Sequence, residues 1–135
     1  MRAILYEYEQ DLELLLSYLV EGEGFELQIA EEQDAFLGLC ASSPPELIIL
    51  GNCPPSSSHE EMIRLIRALP GLSETFILVL TTNPSFCDLI PGYQDTLISC
   101  VCTPITPKNL RETFREIKRL FTPTEGGYNQ ANVSR

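Results

Sequence analysis

Between Arg2 and Arg64 the chain carries no lysine or arginine, although thirteen acidic residues lie in that stretch. A phosphate backbone is gripped by a basic footprint. With a net charge of −10, the domain is therefore not expected to bind nucleic acid directly. No apolar run approaches the roughly 20 residues a helix needs to cross a bilayer. The N-terminus, Met1-Arg2-Ala3-Ile4-Leu5-Tyr6-Glu7, turns acidic too soon for a secretory signal, so a cytoplasmic protein with no membrane role is expected. There is no CxxC pair and no glycine-rich phosphate loop. The five cysteines, Cys40, Cys53, Cys87, Cys100 and Cys102, are odd in number and lack a secretory context. They are expected to be mostly buried free thiols in a reducing compartment. His59 is the single histidine, and Ser58-His59-Glu60 are consecutive, which spreads their side chains around a helix instead of into a triad. No enzyme activity, cofactor or metal is expected.

What is present is a single folding unit. The 135 residues are 44% apolar, enough for one domain with its own core and too few for two. Residues 3–8 read as a strand, and Leu12, Leu15, Leu16 and Leu19 fall at helical spacing over 10–21. Phe25 to Ile29 alternates apolar and polar, the mark of an edge strand. Residues 32–41 form a second helix with Ala35, Phe36, Leu39 and Cys40 on one face. Leu47-Ile48-Ile49-Leu50 is continuously apolar, as a central parallel strand should be. Ser58 and Glu61 have capping-box spacing at the head of a third helix that Pro70-Gly71 ends. Residues 75–80 and 96–102 read as the fourth and fifth strands. Between them, Asn83-Pro84 can start a helix that Pro91-Gly92 would cut short, so the fourth helix is expected to be irregular or shortened. Thr106-Pro107 opens a last helix with Leu110, Phe114, Ile117 and Phe121 inward. Strands alternating with helices of this length predict an α/β doubly wound, five-stranded parallel sheet over residues 1–121. Residues 122–135 read as a flexible tail or linker.

Several segments carry a family resemblance across residues 3–121. Gly24-Phe25-Glu26-Leu27, Pro44-Pro45-Glu46-Leu47-Ile48-Ile49-Leu50, Pro55, Ile77-Leu78-Val79-Leu80-Thr81-Thr82 and Pro104 follow one another in the order and spacing of a response-regulator receiver domain. This resemblance implies the flavodoxin/CheY-like (βα)5 fold and a place in two-component phosphorelay signalling. In that family an aspartate after the third strand accepts a phosphoryl group. Paired acids after the first strand hold Mg²⁺, and a Ser/Thr and a Lys contact the phosphoryl oxygens.

Laid on that pattern, the phosphorylation site is degenerate. The acceptor position holds Gly51, the acid pair falls on Glu7 and Tyr8, and the lysine before Pro104 is Thr103. The switch aromatic falls on Cys100, and Thr81 alone is kept in kind. One carboxylate beside a phenol is a poor Mg²⁺ site. The expected function is a pseudo-receiver that signals by protein–protein contact without aspartyl phosphorylation. Receivers commonly use the fourth helix, fifth strand and fifth helix for dimerisation or partner binding. Tyr93, Leu97, Ile98 and Val101, with Lys108, Arg111 and Arg115 of the basic last helix, are the expected interaction face. Two other functions fit the sequence: an N-terminal regulatory domain of a larger transcription or signalling protein, and a small thiol-based redox sensor using Cys53, Cys100 or Cys102.

Overall fold

The computed structural model describes residues 1–7, 9–51, 58–82, 84–89, 97–102 and 106–121. The expectations placed on Tyr8, Cys53, Tyr93, Thr103, Pro104 and residues 122–135 lie outside them. Ten elements alternate along the chain: β1 (Arg2–Tyr6), α1 (Gln10–Gly22), β2 (Glu26–Ala30), α2 (Gln33–Ser42), β3 (Leu47–Leu50), α3 (His59–Ala68), β4 (Phe76–Thr81), α4 (Pro84–Leu89), β5 (Ile98–Cys102) and α5 (Pro107–Phe121). All strand pairs are parallel and the order across the sheet is β2-β1-β3-β4-β5. The doubly wound fold expected from the sequence is the one observed, and α4 is the short helix that its flanking prolines imply.

The period of two along each strand sorts the core into two layers. Ile4, Tyr6, Ile48, Leu50, Ile77, Val79 and Ile98 face α2, α3 and α4, where they meet Phe36, Met62, Ile66 and Phe86. Ala3, Leu5, Leu47, Ile49, Phe76, Leu78 and Leu80 face α1 and α5, against Leu16, Leu19, Val20, Leu110, Phe114 and Ile117. This is why β3 and β4 read as unbroken apolar runs: every residue in them is buried on one face or the other. β2, at the edge, keeps only Ala30 buried and a half-exposed Leu27.

Local chemistry ends the elements where the sequence says it should. Ser58 Oγ accepts from the Glu61 backbone N–H at 3.2 Å, capping α3. Thr106 Oγ1 accepts from the Asn109 N–H at 3.2 Å, and Pro107 occupies the first turn of α5. After α1 the chain turns at Gly24 with φ +94°, a left-handed conformation that glycine adopts without a Cβ penalty. Arg67 Nη1 donates to the carbonyls of Leu72 and Thr75, both at 2.8 Å, fastening α3 to the turn that leads into β4.

Candidate functional site

In a doubly wound sheet, a crevice opens where neighbouring strands send their crossovers to opposite faces. Here the crossover after β1 packs α1 on one face, and the crossover after β3 packs α3 on the other. The crevice therefore falls at the C-terminal ends of β1 and β3, where Glu7 follows Tyr6 and Gly51 follows Leu50. Thr81 ends β4 on the same edge of the sheet and is buried.

Glu7 is fully buried, which is unusual for a carboxylate and must be offset by hydrogen bonds. Its backbone N–H donates to the Ala30 carbonyl at 3.1 Å. Its Oε2 accepts from the backbone N–H of Glu9, the cap residue of α1, at 3.0 Å. A helix N-terminus favours an anion at that point.

Gly51 is locked to the same place: its N–H donates to the Tyr6 carbonyl at 2.9 Å. A Cβ added to Gly51 would overlap Glu7 Oε1 and lie 2.9 Å from Glu7 Cδ and 3.3 Å from the Tyr6 carbonyl oxygen. Its backbone is not in the left-handed region, so space and not dihedral freedom is what calls for glycine. The volume that a side chain at position 51 would enter is filled by the Glu7 carboxylate.

Further side chains converge on this edge from α3 and α4. His59 Nε2 lies 2.7 Å from the Gly51 carbonyl oxygen, so the proton sits on Nε2 and that nitrogen donates. The imidazole also packs on the Phe86 ring, with centroids 5.5 Å apart and planes inclined by 55°. The sequence signal for this contact is slight: His59 is the first residue of α3 and stands eight positions after Gly51.

The acceptor-site residues do not fit the Mg²⁺ that the fold family implies. The Glu7 carboxylate already accepts from the α1 cap and lies over Gly51, and position 51 offers no side-chain oxygen. Among the described residues no three His, Cys, Asp or Glu side chains converge on a cation position.

The cysteines depart from the expectation of free thiols. Cys87 of α4 is disulfide-bonded to Cys100 of β5, with Cα atoms 5.4 Å apart. Cys100 is among the cysteines that the sequence suggests for a redox role, whereas its partner Cys87 is not, and the two lie 13 residues apart in the chain. Only the packing of α4 over β5 brings the two together. Cys40 fits the expectation: it is buried, and desolvation pushes its thiol up to about 12, with the charge of Arg2 a smaller opposing influence. Cys102 is exposed at the end of β5.

The part of the expected interaction face that lies on and beside β5 also needs correction. Ile98 is buried in the core beneath α4, while Leu97 and Val101 pack half-buried against the α1–α5 layer. Strand alternation sends these residues to opposite faces, and helices cover both. Lys108, Arg111 and Arg115 of α5 are exposed, as expected, although Arg115 Nε also lies 3.7 Å from Oε2 of Glu23, the residue that follows α1. The large apolar side chains that do reach solvent include Leu14 and Tyr18 of α1 and Leu120 of α5. Among the described residues no helix is long and apolar enough to cross a membrane.

No protein-family model matches the chain. The transcriptional regulatory protein CreB of Escherichia coli is 28% identical over 125 residues, which cover 89% of this chain and 53% of CreB. The chain thus spans about half the length of the curated relatives it matches. The chemotaxis response regulator CheY4 of Vibrio cholerae superposes with a TM-score of 0.74 at 19% identity, over 86% of this chain and 97% of CheY4. A streptococcal protein, described as one of a family of redox sensors evolved from two-component response regulators, superposes with a TM-score of 0.70 at 21% identity. That match covers 89% of this chain and 52% of the streptococcal one. Strand order and the crevice at β1 and β3 give the chain the CheY-like fold, and its sequence is similar to those of transcriptional regulatory proteins such as CreB.

Proposed function

We propose that this chain is a response-regulator receiver domain that works in two-component-type signalling as a phosphorylation-independent docking module. The observation that carries the reading is the position of the Glu7 carboxylate, which lies where the side chain of an acceptor at position 51 would stand. In-line phosphoryl transfer brings an anionic phosphoryl group to an acceptor oxygen and requires nearby positive charge. This crevice instead presents a buried carboxylate and a glycine hydrogen. Incubation of the protein with acetyl phosphate and Mg²⁺, followed by intact-mass measurement, is expected to leave the mass unchanged. A gain of one phosphoryl mass would overturn the proposal.

The docking surface in this reading is the face of α4, β5 and α5, with a protein partner or a second copy as the occupant. Its support is the exposed basic edge of α5 in a chain otherwise rich in acid. Charge reversal at Lys108 and Arg111 is expected to weaken self-association or partner capture. A chain that sediments as a monomer at high concentration and retains no partner would count against it.

A second reading, as a thiol redox sensor, is favoured by the Cys87–Cys100 disulfide. The streptococcal neighbour supports it only by showing that a similar fold has been described in that role. In this reading the domain works in the cytoplasm, where disulfides are usually transient and regulatory instead of structural.

A further inference from the structure

α4 is a helix of six residues, too short to hold itself together in water. Its attachment to the sheet comes from packing and from one covalent bond. Phe86 is buried between α3 and the sheet, and the next residue, Cys87, is bonded to Cys100 in the middle of β5. Both cysteines are only partly buried, so small reagents can reach them. The same helix touches the crevice through Phe86, whose ring packs on His59, while His59 in turn donates to the Gly51 carbonyl. A continuous line of contacts therefore runs from the disulfide to the residue that replaces the phosphoacceptor.

We propose that Cys87 and Cys100 form a reversible dithiol–disulfide pair whose oxidation clamps α4 to β5 and whose reduction releases it, with the change felt at His59 and Gly51. This deepens the redox reading and rests on it, and it is independent of whether the domain is phosphorylated. The oxidant is a peroxide. One cysteine thiolate attacks a peroxide oxygen and breaks the O–O bond, giving a sulfenic acid and, after proton uptake, one water. The second thiolate attacks the sulfenic sulfur, forms the S–S bond and expels the second water. Two thiols thus lose two electrons and two protons as hydrogen peroxide becomes two waters. The return path is exchange with a dithiol reductant, which leaves as its own disulfide. Cys40 does not compete, since its buried thiol, pushed up to about 12, supplies almost no thiolate.

The test uses the whole chain, poised first with a dithiol reductant and then with hydrogen peroxide. Alkylation in denaturant is expected to find two more thiols in the reduced sample, and digestion of the oxidised sample to yield a peptide linking Cys87 to Cys100. Amide hydrogen exchange over residues 85–89 is expected to quicken on the order of tenfold or more on reduction, as a small element loses its tether. His59 is the only histidine, so its imidazole NMR signals are unambiguous, and they are expected to shift between the two states. Cys87→Ser and Cys100→Ser are each expected to give the reduced-state signals and to ignore peroxide. Failure to form the linked peptide would overturn both the redox reading and the clamp. A linkage that forms and is reduced while α4 exchange and His59 stay the same would leave the redox reading and overturn the clamp. A linkage that resists reduction at a cytosolic glutathione poise would overturn its reversibility.

Discussion

Gly51 and Glu7 are two halves of one packing arrangement, contributed by neighbouring strands. The glycine leaves the space and the carboxylate fills it, held by the α1 cap N–H at 3.0 Å. Gly51→Ala is expected to cost about 1–3 kcal/mol, the usual penalty for overpacking a filled interior. In a Glu7→Ala background the same change meets an empty volume, and its cost is expected to fall by roughly 1 kcal/mol or more. Urea denaturation of the four proteins in this cycle measures the coupling. Additive effects would mean that the carboxylate is not what excludes a side chain from position 51.

At the scale of elements, α3 and α4 illustrate two ways a short helix is kept in place. α3 begins with a side-chain cap at Ser58 and ends with Arg67 bridging to two carbonyls beyond its C-terminus. Its Arg64–Glu61 pair, 3.9 Å apart on the surface, adds little by comparison. Ser58→Ala is expected to destabilise the domain by about 0.5–2 kcal/mol through loss of that cap, read as a lower denaturation midpoint with an unchanged denaturant slope. A substitution that changed nothing would show that the Glu61 N–H is satisfied equally well by water. α4 has neither device among its described residues and relies on Phe86 and the disulfide. Its length was legible from Asn83-Pro84 and Pro91-Gly92, whereas its covalent link to β5 was not, because a disulfide depends on where two backbones meet.

For the molecule as a whole, acidity is the dominant electrostatic fact. Glu13 of α1 and Glu31 beyond β2 border a shared cavity with Ile29, Ala30, Glu32 and Ala35. Burial holds the Glu13 carboxyl above its ordinary value, assisted by its hydrogen bond to Glu31 and by the charges of Glu31 and Glu7. A raised folded-state value means that the fold prefers Glu13 protonated. Its contribution is therefore full in acid and is lost as pH rises through the raised value. Glu13→Gln, neutral throughout, is expected to resemble the parent at about pH 4 and to be the more stable of the two at about pH 7. Chemical denaturation at both pH values checks the sign, and a Gln variant that is weaker only at neutral pH would reverse it.

The sequence by itself determined the sheet, its two-layered core, the caps at Ser58 and Thr106 and the shortness of α4. These follow from local periodicity, chain stiffness and backbone hydrogen bonding, which act over a few residues. It also put Gly51 and Glu7 at the strand ends through the receiver pattern. Tertiary structure decided that the Glu7 carboxylate occupies the space above Gly51, that His59 joins Phe86 to the Gly51 carbonyl, that Cys87 meets Cys100, and that Ile98 turns inward. Each of these depends on which surfaces face one another after parallel strands far apart in the chain have been paired, and neither composition nor spacing encodes that relation.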